Sequence, residues 1–372
     1  MCSLNSAPRT PAEPRPKQPP KPDSDYISEY KCSIFGTHSN GDYIKAYIPC
    51  TPYQDDPNDP NIQNFKAVIY LHGFALGIPK IYETHLLHLV KQGFFVFFPD
   101  YQHDDYKDDR IFRIGNMIEL IKTVVKSLNY SPEEWIKGAI KSTSDAFKKV
   151  EVSTTTKKTL NDSNVDVYLF GHSLGGLLAL SWPHYLSQED QEVQQKLNPL
   201  QVIAADPMSD SLSDLPDIVT PDIDSKNLTS NLPFFENPIS IENTGHSLTM
   251  PVAILHGQDD HIITLDSWTE PFQAIASPNK KIYFSQTDDH GEPNLLANHN
   301  QCVTNTSALL YDRLANLLGG SKSEADNLNW CYIWSALDQV IRGTVADQLQ
   351  FDMGTWSDGK SVKPIQVKPI DE

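Results

Sequence analysis

Ser173 stands in Gly171-His172-Ser173-Leu174-Gly175, a Gly-x-Ser-x-Gly pattern. A serine hydroxyl is a poor nucleophile until a base takes its proton, so the pattern means chemistry only where a histidine can reach it. Its flanks favour that reading. The apolar run 165–170 predicts a buried strand before the motif, and 174–186 predicts an apolar helix after it. A serine between strand and helix sits on a tight, strained elbow with its Oγ presented, and Gly171, Gly175 and Gly176 leave room for backbone to pass close. A Gly-rich turn with a capping serine would carry the same five letters. Side chains that could serve the nucleophile follow further apolar runs. Asp206 ends the run 202–205. Asp260 follows 252–255, with Asp259 beside it read as the solvent-facing neighbour. Asp288, Asp289 and His290 follow 281–284, and His299 lies nine residues beyond His290.

The elements that must position these groups alternate in type. Residues 30–50 read as a hairpin around Asn40-Gly41, a strong turn signal between β-rich runs. From Lys66 onward come short apolar runs at 67–71, 94–98, 165–170, 202–205, 252–255 and 281–284, the mark of strands buried on both faces. Between them lie segments with apolar residues at helical spacing: 82–90, 114–128, a helix begun by Ser131-Pro132, and 174–186. Helices are also expected at 304–318 and 325–345. This alternation predicts an α/β fold, a mostly parallel central sheet with helices on both faces and an N-terminal hairpin. Residues 26–372 are expected to form one domain. Residues 208–250, polar and without sustained period, are an insertion leaving the carboxyl end of a strand and so a candidate lid over the site. The chain after 327, with Trp330, Trp334 and Trp356, is a C-terminal extension.

Strand, His72-Gly73-Phe74, helix, Gly93-Phe-Phe-Val-Phe-Phe-Pro99, Gly-His-Ser-Leu-Gly-Gly, Gly257-Gln-Asp-Asp260 and Asp289-His290 follow one another in an order that resembles the α/β-hydrolase superfamily over roughly residues 30–320. The His-Gly-Phe loop and the Ala-Asp-Pro strand end look similar to the chlorophyllase, platelet-activating-factor acetylhydrolase and polyester-hydrolase branches. The resemblance implies the chain order nucleophile, acid, histidine, with Ser173 as nucleophile, Asp260 in the Gly-x-x-Asp turn as acid, and His290 as base. Asp206 is the alternative acid, since some relatives place it there, and His299 the alternative base, with a surface or capping role as its default. The backbone N–H groups of Phe74 and Leu174 are the implied oxyanion donors. His72 and His172 are read as structural neighbours. Those branches cleave carboxylic esters, so the implied activity is that of a serine esterase or lipase acting on a small-molecule or lipid ester, with no cofactor and no metal. A carboxylate in place of Ser173 would be needed for a haloalkane dehalogenase. Thioesterases and peptidases share the triad, and a catalytically silent binding protein on the same fold is the reading from another class.

Composition narrows the partners. The 372 residues carry a net charge of −18, which argues against a nucleic-acid partner and against adsorption to anionic lipid. No run of about 18 apolar residues is present. No histidine pair has the helix-face spacing of a metal-dependent hydrolase. Residues 1–25 are Pro-rich and poor in large apolar side chains, which predicts a disordered tether, and Cys2 at its start is a candidate lipid attachment point. Cys32, Cys50, Cys302 and Cys331 then form an even set that would suit two disulfides, Cys32 with Cys50 across the hairpin being the more plausible; free cysteines are the simpler alternative. An exported location is favoured over a cytoplasmic one.

Overall fold

The computed structural model describes residues 29–53, 64–103, 118, 122, 126–152, 157–214, 232–322 and 324–367. The expected tether with Cys2, residues 54–63, most of the expected helical segment 114–128, and residues 215–231 of the expected insertion lie outside them.

Among the described residues nine strands form one sheet: β1 Tyr30–Phe35, β2 Tyr43–Pro49, β3 Phe65–Leu71, β4 Phe95–Asp100, β5 Val165–His172, β6 Pro199–Ala205, β7 Val252–Gly257, β8 Lys280–Ser285 and β9 Gln366–Val367. Their spatial order is β1-β2-β4-β3-β5-β6-β7-β8-β9. The strands from β3 to β8 pair in parallel, while β1–β2, β2–β4 and β8–β9 pair antiparallel. The hairpin β1–β2 turns through a 3-10 segment to Gly41, whose φ of 65° belongs to the left-handed region. This order, with parallel crossovers through helices, is the α/β-hydrolase fold.

The helices follow from local chemistry. α1, Glu83–Lys91, turns Leu86, Leu89 and Val90 to the core. α2, Pro132–Phe147, starts where Ser131 Oγ accepts the Glu134 N–H and the Glu134 carboxylate accepts the Ser131 N–H, a capping box with Pro at the first turn. α3, Leu174–Leu186, is buried on nearly all sides. Hydrophobic burial on both faces of the sheet, including Phe97, Phe98, Phe170, Trp135, Trp182 and Trp334, forms one continuous core.

Several expectations for the elements change. α4, Gln191–Leu197, and the edge strand β9 have weak sequence signals, one too short and the other only two residues long. Residues 304–318 do not form one helix: a 3-10 turn Thr306–Ala308 precedes the helix Asp312–Leu317. Beyond them a π-helical turn Leu328–Ile333 runs into the helix Trp334–Ile341. In the insertion, residues 232–250 carry a short helix, Ile241–Thr244, and bury Phe234, Ile239, Ile241 and Leu248 against the domain. Cys32, Cys50, Cys302 and Cys331, the cysteines among the described residues, are free. Cys32 pairs across the hairpin with Tyr47, not Cys50, and Cys302 is packed in the core. The disulfide expectation therefore does not hold: strand register puts the pair out of line.

Register matters more for function. Leu71 pairs with Gly171, His172 with Ala205, Ala205 with Leu255, and Gly257 with Ser285. The carboxyl ends of five parallel strands thus finish at one level, and the loops that leave them converge there.

Candidate active site

Ser173 lies between β5 and α3 with φ 54° and ψ −121°, a strained conformation for a residue with a Cβ. Packing holds it there. A Cβ on Gly171 would lie 2.1 Å from the Gly175 carbonyl oxygen, and one on Gly175 would lie 2.3 Å from the Leu71 carbonyl oxygen. Only glycine lets the first turn of α3 press against the ends of β3 and β5. The Ser173 N–H donates to the Ala205 carbonyl at 3.0 Å, and its own carbonyl accepts from Met208 and Gly176.

The Ser173 side chain meets His299. Its Oγ is 2.9 Å from His299 Nε2, and His299 Nδ1 is 2.8 Å from Asp260 Oδ2. All three residues are buried, so these contacts are shielded from water. The other Asp260 oxygen accepts the N–H groups of Ile262 and Ile263 at 2.8 and 2.9 Å, which closes the turn after β7. Burial pushes the Asp260 carboxyl up, but the His299 ring, His256 and the Ile263 N–H outweigh it, and the net shift is downward. Asp260 is therefore an anion that accepts the Nδ1 proton and leaves Nε2 free to accept one from Ser173.

His290 is not part of this hydrogen-bonded run. After β8 the backbone makes an excursion closed by reciprocal hydrogen bonds between Asp288 and Leu295, both 2.9 Å. His290 sits on that excursion, partly exposed, with Nε2 2.8 Å from Asp358 Oδ2 and Nδ1 3.0 Å from Lys360 Nζ. The excursion returns at Ala297, whose carbonyl accepts the Asp259 N–H at 2.8 Å, and this brings His299 over the Asp260 turn. His299 thus stands nine positions after His290, beyond the point where the excursion closes. Sequence offered the contrary signal, since Asp289-His290 stands nearer the strand end.

Asp206 is not hydrogen-bonded to the histidine either. It is fully buried, and its carboxylate accepts Gly257 N–H at 2.7 Å and Gln301 Nε2 at 3.0 Å on each oxygen. Burial and the nearby Asp260 charge push its pKa well up. Its role in the structure is to tie the ends of β6 and β7 to the segment that carries His299. Asp206, His256 and Asp260 are also the one group among the described residues whose possible metal-ligand atoms lie within 4.8 Å of one another. The carboxylates there already face N–H donors, and His256 Nδ1 is 2.9 Å from the Gly257 carbonyl.

Against the elbow, where a Cβ on Gly175 would meet the Leu71 and His72 carbonyls, the loop after β3 carries several backbone N–H groups. Gly73 N–H donates to Tyr82 Oη at 3.0 Å and Ala75 N–H to Gln102 Oε1 at 2.7 Å; the Phe74 N–H between them finds no acceptor among the described residues. Leu174 opens α3, so its N–H has no carbonyl one turn earlier. Ala75, next to Phe74, has a positive φ of 56°. The loop is braced by His72, whose Nδ1 donates to the Gly73 carbonyl at 2.8 Å and whose Nε2 lies 3.2 Å from Asp100 Oδ1. Asp100 also receives His38, and although burial opposes it these two rings hold its carboxyl at about 2.

Near the Asp260 turn, Ile262 and Thr264 border an open cleft of about 610 Å³, whose other walls include Asp210, Asp214, Asp266 and Glu270.

The sequence matches no known family model and no curated protein. Among solved structures it is similar to Est1E from Butyrivibrio proteoclasticus, at 18% identity over 70% of this chain and 91% of that one, with a TM-score of 0.39. It is also similar to esterase B from Lactobacillus rhamnosis, at 13% identity over 71% and 77% of the two chains, TM-score 0.41. TT1662 from Thermus thermophilus is a third, at 15% over 69% and 89%, TM-score 0.38. At such levels it is the strand order and the strained elbow of this chain, not its neighbours, that define the fold.

Proposed function

We propose that the chain is a serine hydrolase that cleaves carboxylic esters through an acyl-enzyme on Ser173. The observation that carries this reading is the continuous contact from Ser173 Oγ through His299 to Asp260, built on a strained elbow. His299 Nε2 takes the Ser173 proton as Oγ attacks the ester carbonyl carbon. The tetrahedral oxyanion accepts the N–H groups of Phe74 and Leu174. His299 then gives the proton to the departing alcohol, leaving an acyl-serine. Water attacks that acyl group with His299 again as base, releasing the acid and restoring the serine. Asp260 holds the imidazole in the tautomer this needs and stabilises its charged form.

Esters are the first choice of substrate because the implied branches cleave them. The acidic cleft beside the Asp260 turn favours neutral or cationic substrates over anionic ones.

The test is hydrolysis of p-nitrophenyl acetate, butyrate and octanoate by wild type and Ser173→Ala, each with and without EDTA. Turnover should fall by about 10⁴-fold or more in the variant and be indifferent to EDTA. Wild-type rates from Ser173→Ala would overturn the reading, and the chain-length profile separates an esterase from a lipase.

A further inference from the structure

The base and the oxyanion loop are joined behind Ser173 by a directed set of hydrogen bonds. Gly73 N–H donates to Tyr82 Oη at 3.0 Å. Tyr82 Oη is 2.9 Å from His172 Nδ1, and His172 Nε2 is 2.9 Å from the carbonyl oxygen of His299. A carbonyl can only accept, so His172 carries its proton on Nε2 and donates it to His299. That leaves Nδ1 as an acceptor, which the Tyr82 hydroxyl proton fills. The hydroxyl oxygen in turn receives the Gly73 N–H. Each donor and acceptor in this run has one consistent assignment.

Burial makes the run rigid. Tyr82 and His172 are 0% exposed, and their rings pack at 6.0 Å with a 67° interplanar angle. The His172 ring also lies against the loop itself: a Cβ on Gly73 would come within 3.0 Å of His172 Nδ1. Burial and the neighbouring His299 push His172 down to about 3, so the ring stays neutral and keeps its tautomer while His299 takes up a proton.

We propose that Tyr82 and His172 are positioning residues that hold the His299 backbone and the Gly73–Phe74 loop in register across Ser173. This rests on the serine-hydrolase reading. Asp260 orients the His299 ring, but a side-chain contact alone does not fix where the ring's backbone stands. His299 lies on an irregular segment at the end of a detour, with no strand or helix to place it. The His172 bond to its carbonyl supplies that anchor. The same ring reaches through Tyr82 to the peptide N–H one residue before Phe74. Base and oxyanion donor are thus referred to one buried ring, which also neighbours the nucleophile in sequence.

The test uses the full chain with p-nitrophenyl butyrate and a boronic acid that mimics the tetrahedral intermediate. The variants are Tyr82→Phe, His172→Gln, His172→Leu and the double variant Tyr82→Phe/His172→Leu. Tyr82→Phe keeps the ring and its packing, and His172→Gln keeps an N–H donor at similar reach. Tyr82→Phe and His172→Leu should lower kcat by about 10- to 100-fold, with KM changed by less than about threefold. Affinity for the boronic acid should fall in parallel with kcat, because only the tetrahedral species uses base and oxyanion donors together. His172→Gln should recover most of the loss. The double variant should be little worse than the poorer single one, since both break the same run. Losses that appear equally in KM and thermal stability, with no rescue by glutamine, would overturn the proposal. So would wild-type kcat in Tyr82→Phe and His172→Leu. Labelling of Ser173 by a fluorophosphonate in wild type separates the two readings: labelled wild type with fully active variants overturns the positioning role alone. Unlabelled, inactive wild type overturns the serine mechanism and the positioning role with it.

Discussion

His299 is held by its ring and its backbone at once: Asp260 on Nδ1, Ser173 on Nε2, His172 on the carbonyl. His290 has a carboxylate partner too, but that partner is the exposed Asp358, and Lys360 occupies its other nitrogen. The two histidines therefore make opposite predictions. His299→Asn should lower kcat/KM for p-nitrophenyl butyrate by about 10⁴-fold or more, while His290→Asn should stay within about threefold of wild type. A steady-state comparison of the two variants checks this. His172 gives a pH prediction. Its ordinary value is 6.5, and burial first, then the nearby His299, pushes it down to about 3. A histidine that resists charging in the folded state binds fewer protons there than in the unfolded chain. Its contribution to stability is thus complete above 6.5 and is lost as pH falls from 6.5 toward 3, in full on the order of 5 kcal/mol. His85, also pushed well down by burial, acts in the same direction. Urea midpoints should drop over this range, and His172→Gln should make the slope shallower. An unchanged slope would contradict the buried neutral state.

At the scale of elements, the elbow depends on two close approaches of backbone. Gly171→Ala would put a Cβ 2.1 Å from the Gly175 oxygen, a peptide atom that cannot rotate away. The variant should lose activity by about 100-fold or more and fold less stably, checked by kcat/KM and thermal midpoint. That elbow, the Asp260 turn and the sheet were legible because each is a local pattern: an apolar run, then glycines or a Gly-x-x-Asp turn. α3 was legible to the residue for the same reason. His299 was not, because its place depends on the bridge from Asp288 to Leu295 and on the contact of Ala297 with Asp259, which join residues across a detour. Tyr82 and His172 were equally hidden in part. Tyr82 reads as an apolar helix position, and its hydroxyl contacts a residue 90 positions away. Cys32 and Cys50 show the converse error, where closeness along a hairpin suggested a bond that strand register denies.

Across the whole molecule, the charge of −18 and the carboxylates of the cleft near the Asp260 turn should disfavour the approach of an anionic substrate. An anionic ester such as p-nitrophenyl succinate should have a lower kcat/KM than the neutral butyrate at low salt. The gap should narrow as ionic strength rises and the screening length shortens from about 30 Å at 0.01 M to about 3 Å at 1 M. Equal rates at both ionic strengths would show that this field does not reach the site. The C-terminal segment belongs to the same whole: Trp356 Nε1 and the Lys363 N–H both donate to Asp288, at 3.0 Å each, and so brace the detour that delivers His299. The central claim is that Ser173 is the nucleophile, and peptide mapping after inactivation by diethyl p-nitrophenyl phosphate tests it most directly. One diethylphosphoryl group per chain, on the peptide containing Ser173, with loss of esterase activity in step, is the predicted result. A label on another residue, or full labelling at Ser173 with turnover intact, would contradict it.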